Sequence, residues 1–409
     1  MGLAALALDA CGKSGSHASD DGGASADLSA ATDAGGTSAG CTATSATAAN
    51  TAAVVAAAQA LSAALTADQQ TAIQYPYTLA HAQQWSNLPT SFITRNGVKM
   101  LDMSADAQTA AVALVTAATG SAGATLFSEL RAADDWLVSN GGADSSSYGS
   151  GRYYFAFIGT PSTTSPWMLQ VAGHHLAYNF TYNGACTSAT PLFDGVEPTS
   201  WTDGTTTHAP LESQRAASVA VIGAVSSNSA AVLSGTFTDI VNGPTNANGL
   251  GDGNYPTGIT YPTGTTGRGV LVSSLSSSDQ QLVKTAIEAW VKNANDATST
   301  ALLALYESDT ALASTYVGYS GATDLTTQNS YFRIDGPRVW IEVTIQGGIV
   351  YHNMVHYHTI WRDKASDYGA EFIDDASTAS TVDGGTTGGT GPGGGGGPPD
   401  GGIGGPGGI

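Results

Sequence analysis

The spacing of apolar positions along this chain changes character twice. From 47 to 73, Ala, Val and Leu recur at helical intervals among good helix formers. Ser104-Ala-Asp106 predicts the cap of a helix over 105–119, and "GATLFSELRAADDWLVS" predicts another over 123–139. The period then shortens to two. "RYYFAFIGT" (152–160) alternates and is aromatic, as a strand does, and 167–193 predicts two or more strands broken at Gly173 and at Asn183-Gly184. Asn-Gly is a strong signal for a hairpin turn. Helical spacing returns over 211–235, over 277–294 with Leu282, Ile287, Trp290 and Val291 on one stripe, and over 298–314. "SYFRIDGPRVWIEVTIQ" and "GIVYHNMVHYHTIWRD" then predict two strands turning across Gln346-Gly347-Gly348. "YPYTLAHAQQWSNLPTSF" and about 242–268 carry neither period and are expected as loops. Helices and antiparallel hairpins in separate blocks predict an α+β fold, helical segments packed on β-hairpins.

The pattern fails at both ends. Residues 12–45 are Ser, Gly, Ala, Thr and Asp with few large apolar side chains, and 376–409 are mostly Gly and Pro. Such segments cannot bury enough apolar surface to offset their ordering entropy. The expected organisation is therefore a truncated signal and lipobox remnant over 1–11, a flexible linker over 12–45, a single α+β domain over 46–375 and a disordered tail over 376–409. Leu8-Asp9-Ala10-Cys11 has the form of a lipobox. Export is expected from it, with the membrane touched only through a lipid anchor. No run of 18 apolar residues suggests a membrane-spanning helix. With 13 Lys+Arg against 33 Asp+Glu and a formal charge of −20, nucleic acid is excluded as a partner. In an oxidising envelope Cys41 and Cys186 are expected to pair, two unrelated thiols being the alternative.

Chemistry concentrates in the histidines. Five of the eight fall at 174–175 and 352–358. In an extended strand His352, Met354, His356 and His358 share one side, and the last two imidazoles stand about 6–7 Å apart. His174 and His175, adjacent on a regular strand, point to opposite faces, so at most one can be a third ligand. Glu342 lies between aliphatic neighbours on a face shared with Arg338, Trp340 and Thr344. A tight turn at Gly347 would bring it near His352, and a longer loop would shift it along. It is a candidate ligand, an acceptor fixing a histidine tautomer, or the mate of Arg333, Arg338 or Arg362. Imidazoles with a carboxylate suit zinc or iron, and Met354 adds copper. The competing reading is a hydrogen-bonded core network in a non-catalytic surface protein. No P-loop or His-Glu-x-x-His is present, and the Gly-x-Ser-x-Gly string at 36–40 lies in the expected linker and not at a strand-to-helix elbow. A glycosidase pair drawn from Asp134, Asp135, Glu197 and Glu342 has no support from spacing. Trp85, Trp201, Tyr255 and Tyr261 are expected as a sugar platform or as loop anchors.

"WSNLP" with Arg95-Asn-Gly97, "FIGTPSTTSPW…GHHLAYNFT", "DIVNGP", "FRIDGPRVWIEV" and "HYHTIWRDKASDYGAEF" occur in that order. Together they resemble the bacterial and fungal proteins grouped as domain of unknown function 3500, over roughly 70–375. The resemblance implies no particular activity. It does imply that His174, His175, Glu342, His356, His358, Trp361, Arg362 and Asp363 occupy motif positions, while His352 and Met354 do not, which weakens copper. The expected site joins His356, His358, one of His174 and His175, and Glu342 around one divalent metal (zinc, iron or copper) that activates water or dioxygen. Arg362 or Arg338 would orient an anionic group of a small-molecule or glycan substrate, making Arg362 and Glu342 the catalytic candidates.

Overall fold

A computed structural model describes residues 46–47, 50–243, 259 and 261–370. The lipobox, linker and tail expectations, and Tyr255, fall outside these residues. Eight strands carry the architecture: β1 (Tyr154–Ile158), β2 (Trp167–Gly173), β3 (Leu176–Asn183), β4 (Leu192–Val196), β5 (Tyr316–Ser320), β6 (Tyr331–Asp335), β7 (Val339–Gly347) and β8 (Val355–Asp363). They lie in one sheet in the order β5-β6-β7-β8-β4-β3-β2-β1, every neighbour antiparallel. Strand β4 joins two meanders, pairing with β8 on one side and β3 on the other. The histidine-bearing hairpins therefore share a sheet.

Period-two alternation gives that sheet two unlike faces. Phe155, Leu169, Tyr178, Leu192, Trp361 and Ile341 lie on one, in a single apolar cluster with the helices. These are α1 (Thr51–Ala64), α2 (Ala105–Gly141), α3 (Glu212–Val225), α4 (Ser277–Val291) and α5 (Asp296–Tyr306). On α4 the buried stripe is Val283, Ala286, Ile287, Trp290 and Val291, the 3–4 spacing of a helix lying on a sheet. Each large aliphatic or Phe side chain buried there contributes about 2 kcal/mol. The opposite face carries His356, His358, Arg362, Glu342 and Gln170, and mostly irregular segments, with the single helical turn Leu79–Ala82, cover it. A small cluster of Trp85, Ala172, Ala177, Phe193, Ile240 and Ile360 ties those segments down.

Several boundaries differ from the pattern. The helices expected over 105–119 and 123–139 run on from one another through Gly120, whose φ of +71° breaks the helical path. Ser104 caps the first turn as expected, accepting from Ala107 N at 3.2 Å. By length and composition Ala105–Gly141 is apolar enough to cross a membrane. Ala111, Leu114, Phe127 and Leu130, however, lie in the core against the sheet, as in the core helix of a globular domain. The turn between β7 and β8 is also wider than Gln346-Gly347-Gly348. Residues 348–354 form a loop whose Val350 and Tyr351 N–H groups both donate to Glu197 Oε1 at 2.8 Å. Strand β8 accordingly begins at Val355, and His352 and Met354 are exposed in the loop instead of extending the histidine row.

Candidate metal centre

Strand alternation places His356 and His358 on the polar face, opposite Gln346 and Thr344 of β7. The "GHHL" pair is not on a strand. Gly173 pairs with Leu176, so His174 and His175 are the two central residues of the β2–β3 turn. His175 takes φ +59°, a left-handed conformation that favours turns. Freed from strand alternation, the two rings stack with centroids 3.7 Å apart rather than pointing to opposite faces. Register then delivers the turn to β8, because Leu176 is opposite Asp194 while the next residue, Gly195, is opposite His358. A side chain at 195 would block the meeting: a Cβ there would lie 2.9 Å from His175 Cδ2 and 3.1 Å from His358 Cδ2.

The result is a buried group of His175, His356 and His358 whose ligating atoms all lie within 4.8 Å of one another. The Nε2 atoms of His356 and His358 are 3.2 Å apart. Tetrahedral coordination with metal–nitrogen bonds of 2.0–2.1 Å requires a nitrogen–nitrogen edge of about 3.3 Å. Burial, reinforced by His174, His358 and His356, holds His175 well below the ordinary imidazole range. Burial, then His358 and His174, push His356 down to about 3, against weaker pulls from the Gly347 carbonyl and Asp239. Both rings are therefore neutral at ordinary pH, the state in which imidazole offers a lone pair to a metal.

The other expected site residues stand outside this group. His174 Nδ1 is 2.7 Å from Asp134 Oδ1, and its ring meets the Tyr148 ring edge-on. Glu342 shares the histidine face but sits opposite Ile360, not beside the row. Its carboxylate is filled by four donors: Val241 N, Asn242 N, the Tyr331 hydroxyl and Trp340 Nε1, at 2.6–2.9 Å. A carboxylate so engaged has little left for a metal, which is the physical reason Glu342 is not a ligand in this arrangement. Arg362 donates to the carbonyls of Asn242 and Gly243 and to Asp367, and Arg338 donates to Asp363. These bonds fix chain segments in place of a substrate. The possible glycosidase carboxylates are likewise committed: Asp134 to His174, Asp135 to Ser150 N, Glu197 to the 348–354 loop. Trp85 and Trp201 are buried, Trp85 donating to the Tyr368 hydroxyl and Trp201 stacked on His208, while Tyr261 packs against Trp340. They are anchors, not a platform.

Sequence reasoning missed Asp239 and Asn87, which approach His358 Nδ1 at 3.0 and 3.2 Å. Both sit in segments without periodicity, and only their places within "DIVNGP" and "WSNLP" set them apart. Burial opposes ionisation of Asp239, but the charge and hydrogen bond of His358, with the Ile240 N–H and Gln346, hold it below the usual carboxylate range. The loop bearing Asn87 is wound around Arg95, whose guanidinium donates to the carbonyls of Ser86, Leu88, Ile93 and Gly173. One cation thus ties the "WSNLP" segment to the strand end just before the histidine turn.

A family model described as "Protein of unknown function (DUF3500)" matches residues 47–370. No curated protein and no solved structure matches the chain.

Proposed function

The chain belongs to the DUF3500 family of proteins of unknown function, and we propose that its buried histidines hold one divalent metal ion that activates water. The observation carrying this reading is the convergence of three buried imidazoles from two distant hairpins, with ligating atoms within 4.8 Å. Three protein ligands leave one tetrahedral position for water, and a bound ion lowers the proton affinity of that water enough to make a nucleophile near neutral pH. Zinc suits this donor set best. Iron or copper, acting on dioxygen, is the second choice, and exposed Met354 supplies no thioether to favour copper. The substrate is a small molecule or glycan, and no nucleic acid is involved. A non-catalytic network is favoured by one fact: 3.2 Å also fits a hydrogen bond between the two rings.

Export through a lipid anchor at Cys11 is part of the same proposal. Cys186 is disulfide-bonded, which suits an oxidising compartment; Cys41, its expected partner, lies outside the described residues. Palmitate labelling, abolished in Cys11→Ser, tests the anchor. Elemental analysis after mild dialysis tests the metal. About one equivalent per chain, lost in His356→Ala, is expected; a metal-free wild type that takes up neither zinc nor cobalt leaves the hydrogen-bonded network as the answer.

A further inference from the structure

Resting on that metal reading, the geometry points to Asp239 as the positioning residue of the centre: it accepts the Nδ1 hydrogen of His358, while Glu342 and Arg362 clamp the segment that carries it. Segment 237–243 crosses the polar face of β6, β7 and β8, and the side chains beneath it bind its backbone one after another. Phe237 stacks on Tyr331 with centroids 4.0 Å apart. Gln346 Nε2 donates to Thr238 O at 2.9 Å. Glu342 accepts from Val241 N at 2.6 Å and Asn242 N at 2.9 Å. Arg362 donates to Asn242 O at 2.6 Å and Gly243 O at 2.9 Å. Every one of these anchors belongs to the same sheet face as His358, since Tyr331 is opposite Thr344 and Glu342 is opposite Ile360. A segment without regular structure is thereby held at both its N–H and C=O groups.

Between these anchors Asp239 places Oδ1 3.0 Å from His358 Nδ1. With Asp239 Oδ1 as the acceptor at this distance, Nδ1 carries the hydrogen and the Nε2 lone pair faces His356 and the ion. The Asn87 amide nitrogen stands 3.2 Å from the same Nδ1 while its oxygen lacks a partner among the described residues; turning the amide over would put that oxygen, an acceptor, toward the Nδ1 hydrogen. A carboxylate behind a ligating histidine fixes its tautomer and raises its basicity, and loss of such a partner costs 10–100-fold in metal affinity. Glu342 and Arg362, both buried, therefore act through Asp239 without touching the ion.

The test is cobalt(II) titration of the full chain, read by visible absorption, for wild type, Asp239→Ala, Asp239→Asn, Gln346→Ala and the Asp239→Ala/Gln346→Ala double variant. The Asp239 side chain is 35% exposed, so its truncation leaves the apo-protein's melting temperature within a few degrees. Asp239→Ala should weaken cobalt binding 10–100-fold and change the absorption band, with Asp239→Asn recovering part of both because its amide oxygen still accepts. Gln346→Ala should weaken binding severalfold in the wild-type background and have no effect once Asp239 is gone. Glu342→Gln is the stronger probe of the clamp if it folds, and Gln346→Ala serves if it does not. Wild-type affinity and an unchanged band in Asp239→Ala overturn the assignment while leaving the metal reading intact. Absence of cobalt uptake by the wild type overturns both.

Discussion

On the helix-covered face of the sheet, strand residues such as Phe155, Leu169, Phe180, Ile341 and Trp361 meet helices across one continuous apolar cluster. On the loop-covered face, Gln170, Asn179, Glu342, Thr344, His356, His358 and Arg362 are just as deeply buried. The first face is held by area removed from water, which is non-directional and tolerant of detail. The second is held by directional bonds, each of which must be made because an unpaired buried polar group costs 1–3 kcal/mol or more. A helix satisfies its own backbone and can offer only side chains to a polar sheet face. An irregular segment instead presents unpaired N–H and C=O groups, and these are the partners Glu342 and Arg362 take. Loop cover and polar strand face thus imply each other, and a rigid, low-dielectric setting for a ligand set follows from the combination.

The sharpest way to separate the faces is to truncate one large residue on the helical side. Trp290 is fully buried and donates to Thr359 Oγ1 at 2.7 Å, so Trp290→Ala should cost about 3–5 kcal/mol in urea unfolding of the apo-protein. Cobalt affinity measured on the folded fraction should stay within about twofold of wild type. A parallel collapse of both quantities would mean the faces are not energetically separable. On the loop side the equivalent probe is Gly195→Ala, whose added methyl group meets the His175 and His358 rings. It should destabilise by about 1–3 kcal/mol as overpacking does and, unlike the Trp290 change, weaken metal binding about tenfold or more. Unchanged cobalt affinity would show that the rings have room to spare.

Proton linkage should run in opposite directions on the two faces. Burial raises Asp194, on the helical side, to about 7, a shift eased only in part by Tyr178, whereas His356 is depressed to about 3. A carboxyl whose folded pKa is raised binds more protons in the native state, so its contribution is lost as pH rises from about 4 to about 7. An imidazole whose folded pKa is depressed binds fewer, so its contribution is lost as pH falls from about 6.5 towards 3. Apo Asp194→Asn should therefore gain on wild type as pH rises, and His356→Gln should gain as pH falls, each by at most about 1.4 kcal/mol per pH unit. Slopes of the same sign in urea titrations at several pH values would remove the contrast. Metal should also be retained to lower pH than free imidazole suggests, until the fold itself fails. The smallest effect belongs to Met354 and His352 in the exposed loop. Met354→Leu and His352→Ala should each change stability by less than about 0.5 kcal/mol and leave cobalt binding untouched. A large loss of affinity in either would restore the extended histidine row.

How much of this was legible in the residues follows from what each signal depends on. The helical segments expected at 47–73, 105–119, 123–139, 277–294 and 298–314, if not their bounds, and the aromatic strands follow from local spacing, because apolar period alone decides which face of an element is buried. His356 and His358 on one side is the same argument on a shorter scale, and α+β with antiparallel pairing followed from the order of the blocks. Spacing along β7 likewise put Glu342 on a face with Trp340 and Thr344. What it could not supply was the width of the β7–β8 loop, which depends on Glu197 binding Val350 and Tyr351 N–H from more than a hundred residues away. That width moved Glu342 from His352 to Ile360 and dropped His352 and Met354 out of the strand. Nor could spacing show that "GHHL" is a turn, since His175 takes a left-handed conformation better suited to Gly or Asn. The partners of the polar face were likewise hidden, because Asp239, Asn87 and the backbone of 241–243 come from aperiodic segments. Local pattern carries the hydrophobic face because burial there needs only the right kind of side chain at the right period. The polar face had to wait for the tertiary structure, because a directional bond exists only when two particular atoms from distant parts of the chain are brought within about 3 Å.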